Sequence, residues 1–166
     1  GNRLVQFVEM LPGSDPALMV GFVDAIQGSD QLLVNTLEKF GLFRAPLAWP
    51  ARIVELIYQI HPPQSIPAFK TRALSPALPL KARKEALTAI GVNTGADAAQ
   101  AMLGIAEALG SNVTAGTPEA AVKDTALSWL LNRKDNVWKD HGLAAALKEK
   151  GIYDPDKIVL TAVSLP

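Results

Sequence analysis

The side chains best able to do acid–base or metal chemistry are scarce in this chain. It has two histidines, His61 and His141, and no cysteine. Without cysteine there can be no disulfide, thiolate zinc site, iron–sulfur cluster, cysteine nucleophile or thioether-linked haem. Neither histidine stands beside a patterned carboxylate or serine, as a relay or ligand set would require. His61 precedes Pro62-Pro63 and His141 precedes Gly142, so both fall at helix ends. An imidazole there can bond the last carbonyls, which predicts a capping role for each. Asp140, Asp154 and Asp156 offer oxygen ligands, but their spacing is not that of an EF-hand loop, and Asp154-Pro155 reads as a turn. The stretch Gly91–Gly95, GVNTG, lacks the Lys-Ser/Thr of a phosphate loop and follows a helix rather than a strand. Asn112-Val113-Thr114 matches a glycosylation sequon and reads as a chance match. The expectation is therefore no catalytic residue, no cofactor and no metal.

Binding chemistry is better represented. Trp138 lies beside Arg133, Lys134 and Lys139, where an aromatic could anchor an interface inside a cationic rim. The competing reading, which the pattern favours, makes Trp138 a plug at the end of the last helix pair. Trp129 shares a helical stripe with Ala126, Leu127 and Leu130 and reads as core, and Trp49-Pro50 reads as packing for a connection. Arg83, Lys84, Arg133 and Lys134 could form a basic ridge, although Glu85, Glu119 and Asp124 interleave with them as on a solvated face. Arg83, Lys84, Arg133, Lys134 and Trp138 are the candidate interface. Sixteen basic residues balance sixteen acidic ones, so no global field draws in nucleic acid or an anionic membrane. No signal peptide is present, and the apolar runs are far shorter than a membrane span.

The elements that must position these residues are helical. Hydrophobic residues make up 49% of the 166, rich in Ala and Leu and poor in aromatics, a balance suited to close-packed helices. Leu4, Phe7, Val8 and Leu11 recur at helical spacing until Pro12-Gly13. Helices are predicted over 16–27, 30–40, 50–60, 65–74, 80–90, 96–109, 117–131 and 137–150, the last as one or two short pieces. Asp30, Ser65 and Thr117 stand at N-cap positions, and Gly41, Gly91 and Gly110 at C-terminal stops. The helices group as antiparallel pairs over 15–41, 50–74, 79–110 and 117–151, with 1–12 as half a pair and 152–166 as an extended tail. Arg83–Ile90, RKEALTAI, aligns with Lys123–Leu130, KDTALSWL, at an offset of forty residues. A two-helix unit repeating at such a period predicts an all-α fold, a right-handed α-α superhelix of the HEAT or armadillo kind with about four pairs. The chain starts Gly1-Asn2-Arg3, without Met and inside a helical pattern, so a single repeat domain cut from a longer protein is expected.

The stretch Pro79–Glu107, PLKARKEALTAIGVNTGADAAQAMLGIAE, resembles a HEAT repeat. Ala126–Lys134, ALSWLLNRK, then Asn136–Lys139, NVWK, and Lys150–Pro155, KGIYDP, resemble the helical region of a large bacterial group. These are the multi-domain membrane-bound dehydrogenase proteins of Planctomycetes, Verrucomicrobia and Bacteroidetes, and the resemblance spans about residues 50–160. Such proteins join a sugar-dehydrogenase-like propeller, a HEAT-like region and a haem-binding cytochrome-type domain. Their haem site needs Cys-x-x-Cys-His, which this chain lacks, so no family residue carries over to a catalytic position. The resemblance implies a non-catalytic connector in an extracytoplasmic protein, with neighbouring domains of the same chain or another protein as partners. The alternative is a small-ligand-binding or accessory subunit of an oxidoreductase, with its site between helices.

Overall fold

A computed structural model describes residues 30–39, 41–110 and 113–154. The helices expected at 3–11 and 16–27, the sequon's Asn112, and most of the expected tail, 155–166 with Asp156, lie outside the described residues. Within them the fold is all-α, with seven α-helices and no strand.

α1 spans Asp30–Lys39 and buries Leu33, Val34 and Leu37. Two short 3-10 turns, Leu42–Arg44 and Pro46–Ala48, carry the chain to Trp49. α2, Ala51–Ile60, starts after Pro50 and buries Ile53, Leu56 and Ile57. α3, Ser65–Leu74, follows the Pro62-Pro63 break. Ser65 does not cap it. It is already helical, and its hydroxyl donates to the Pro62 carbonyl oxygen at 2.6 Å. α4 is Leu80–Gly91, and α5 is Ala96–Leu109. α6, Pro118–Arg133, is the longest described helix, capped by Thr117, whose hydroxyl accepts from the Ala120 amide at 3.2 Å. A 3-10 turn at Lys139–His141 leads into α7, Leu143–Glu149.

One apolar cluster runs from Leu33 to Leu147. α5 lies at its centre, with Ala98, Ala99, Met102, Leu103, Ile105 and Ala106 all buried. Four buried alanines on that helix, Ala98, Ala99, Ala101 and Ala106, allow close backbone approach. The most extensive packing joins α3 to α4 and α5 to α6. α3 also meets α5, α4 meets α6, and α4 meets α5 less extensively. Grouping by sequence placed α2 with α3 and α4 with α5. The closer partnerships fall one helix later, α3 with α4 and α5 with α6.

Candidate functional site

The five residues of the candidate interface do not share one surface. Arg83 is only 1% exposed. Its Nε donates to the Ala73 carbonyl oxygen at 2.8 Å and its Nη1 to Glu119 Oε1 at 3.0 Å. It therefore ties α4 to the end of α3 and to the first turn of α6. The Arg83 hydrogen bond holds the Glu119 carboxyl below the ordinary carboxylate range, with its own backbone amide adding to the effect. Arg83 Nη2 is buried with no partner among the described residues. Lys84, next in sequence, is exposed on the other side of α4. Lys134 is in an ion pair with Asp135.

Trp138 is also closed to solvent, at 0% exposed. Its indole N–H donates 2.8 Å to the Asn93 carbonyl oxygen, in the turn between α4 and α5. This is the plug role rather than the anchor role, because both the ring and its polar atom are used inside the fold. His141 reaches the same turn. Its Nε2 lies 3.2 Å from the Thr94 carbonyl oxygen, which can only accept, so that nitrogen carries the proton. The GVNTG turn thus offers carbonyls to the C-terminal segment. Arg133 lies over both tryptophans, 5.1 Å from the Trp129 ring and 5.8 Å from the Trp138 ring. Trp129 presses against Gly91, where an added Cβ would meet ring atoms at 2.5 and 2.6 Å. Gly91 is the last residue of α4, where the sequence reads a helix stop, and the close approach of Trp129 also requires its missing Cβ.

A second aromatic node is built around Trp49. Trp49 donates its indole N–H to the Leu42 carbonyl oxygen at 2.7 Å. Phe43 and Phe69 meet it edge-on, at 6.2 and 5.5 Å between ring centroids. Arg72 stacks on it at 5.5 Å, and its Nη1 donates to the Pro46 carbonyl oxygen at 2.8 Å. Burial pulls the Arg72 guanidinium below its ordinary value, and the negative charge of Glu85 partly restores it.

Beside this node lies a groove of about 670 Å³ between α2, α3 and α4. Val54, Phe69, Ala82 and Ala86 make an apolar floor. Tyr58, Gln59 and Thr88 give the walls polar tips, and the rim carries two exposed carboxylates, Glu55 and Glu85. Glu55 is bridged to Arg52 at 3.2 Å. The groove was not anticipated from sequence. Arg72 carried the available signal, since it follows Phe69 by three residues and so falls on the apolar stripe of α3.

His61 ends α2 in the left-handed conformation, φ 52°, and its backbone N–H, not its imidazole, bonds the Ile57 carbonyl oxygen at 3.0 Å. The ring packs edge-on against Tyr58 at 5.5 Å, and its Nδ1 is buried with no partner among the described residues. Among the described residues no cluster of three His, Asp or Glu could hold a metal ion. No described helix is long and apolar enough to cross a membrane. No family model, curated protein or solved structure matches the chain.

Proposed function

We propose that the chain is an interaction module, a non-catalytic helical scaffold that holds a partner segment in the groove between α2, α3 and α4. The observation that carries this reading is the groove itself, an apolar floor under a rim with two carboxylates. That chemistry complements an amphipathic helix with an apolar stripe and a basic flank. It disfavours nucleic acid, whose phosphates would face Glu55 and Glu85. The partner would be a neighbouring domain of the same chain or another protein.

The packing of α3 on α5 and of α4 on α6 supports a two-layered arrangement of the HEAT or armadillo kind, in which successive pairs stack. The more particular role of connector between a dehydrogenase-like propeller and a cytochrome-type domain rests on the resemblance at 126–139 and 150–155.

The test uses a designed Leu/Lys amphipathic peptide and its Leu/Glu counterpart, titrated by calorimetry. The Leu/Lys peptide should bind, and Glu55→Gln with Glu85→Gln should weaken it at least several-fold while circular dichroism keeps the parent's helical signal. Equal binding of the Leu/Glu peptide, or no loss in the double variant, would sink the reading.

A further inference from the structure

The cleft at the end of α6 has a chemistry different from the groove. It encloses about 480 Å³ and is lined by Ser128, Trp129, Asn132, Arg133, Asn136 and Val137, with Thr125 at its upper edge. That volume falls within the range of small-molecule sites, about 300–1,000 Å³. Arg133 is its only charged lining residue. Its guanidinium lies against the rings of Trp129 and Trp138 and has no carboxylate partner or hydrogen bond among the described residues. Stacking of this kind fixes the plane of the fork and leaves its N–H edges free to donate.

The C-terminal end of a helix ordinarily repels anions, because its last carbonyls are bare acceptors. Here three of the last four carbonyls are occupied. Leu130 accepts from the Lys134 amide, Asn132 from the Asn136 side chain at 2.7 Å, and Arg133 from the Asn136 and Trp138 amides. Asp135, the nearest acid in sequence, is held by Lys134. Two further polar groups, the Ser128 hydroxyl and the Asn132 amide, are exposed and bond to no described residue. Val137, 40% exposed, adds an apolar wall.

We propose that this cleft binds a small hydroxylated carboxylate, a sugar acid in chemical class. The carboxylate would take the fork of Arg133 as a bidentate pair, the hydroxyls would meet Ser128 and Asn132, and the C–H face would lie on Val137. The site is independent of the groove, so its success or failure leaves the docking reading untouched.

The test is a calorimetric and NMR titration of the chain with glucuronate, glucose and inorganic phosphate. Glucuronate should bind saturably, more weakly as salt rises, and glucose at least about tenfold more weakly, as expected for loss of a charge-assisted pair. Arg133→Gln should lose about tenfold or more in glucuronate affinity. Asn132→Asp, an exposed change that keeps Arg133 in place, should lose a similar factor by putting a carboxylate beside the ligand. Lys84→Gln, on α4, should bind as the parent does. Absence of saturable glucuronate binding, glucose binding as tightly, or full affinity in Arg133→Gln overturns the proposal. Inorganic phosphate binding as tightly as glucuronate overturns the sugar-acid assignment.

Discussion

Among the described residues an arginine lies on tryptophan at two nodes, and they differ in where the guanidinium ends. At Trp49 the cation is enclosed. Arg72 is 6% exposed, bonded to the Pro46 carbonyl oxygen, and covered by the chain that leads into α2. At Trp129 and Trp138 the ring beneath is enclosed and the cation is not. Trp138 has no exposed surface, while Arg133 is half-exposed above it and opens on a cleft. The same residue types therefore give a strut in one place and a presented cation in the other. What separates them is the partner of the guanidinium, a backbone carbonyl in the first case and none among the described residues in the second. Arg83 makes a third variation. It is buried like Arg72, but one of its nitrogens pairs with Glu119 across to α6.

This contrast yields ranked expectations. Trp138→Ala should have the largest effect, removing a fully buried ring and the Asn93 bond. A loss of about 3–5 kcal/mol in urea unfolding is expected. A loss below about 1 kcal/mol, no more than an ordinary surface change costs, would show that the C-terminal ring is not a plug. Gly91→Ala should cost about 1–3 kcal/mol, because Trp129 must shift away from the new Cβ, and near-UV circular dichroism should change with it. Arg72→Met keeps the stem but leaves the Pro46 carbonyl without its donor, for a loss of about 1–3 kcal/mol in the same assay.

Glu119→Gln should act mainly on the acid limb of stability. The folded-state pKa of Glu119 is depressed, so its stabilisation is present above the unfolded carboxylate pKa of about 4.3 and is lost as pH falls through the folded value. Melting followed from neutral pH down to pH 3 should therefore be flatter in the variant. An identical acid limb would show that Arg83 does not depend on this partner. Arg133→Met should be the mildest change, about 0.5–1 kcal/mol for a half-buried cation on a ring. A cost as large as that of Arg72→Met would mean the two nodes are alike after all, and that Arg133 is a strut.

Much of the helical content is legible from spacing and caps. Thr117-Pro118, Gly95 and Gly110 stand in the structure where the sequence places them, and α5 spans 96–109 as expected. Arg83 was legible in part. It stands three residues after Leu80 and four before Leu87, on the buried stripe of α4, yet its charge invites a surface reading. Glu119, thirty-six residues on, is the partner that permits its burial, and no local pattern announces a pairing at that distance. The groove was not legible at all. Glu55, Tyr58 and Glu85 look like solvated positions until α2 and α4 are placed across from each other.

By itself the sequence determined that this chain is helical, where most of its described helices start and stop, and that no cysteine chemistry is open to it. Those properties are set within a few residues, by caps, prolines and apolar spacing. Only the tertiary structure decided which helices are closest partners, that Gly91 makes room for Trp129, and that Trp138 is enclosed while Arg133 is presented. The deciding contacts join residues far apart in the chain, such as Trp138 on Asn93, forty-five positions away, and Trp129 on Gly91 from another helix. Burial there is settled by which helix arrives opposite, a quantity that residue type and local spacing do not contain.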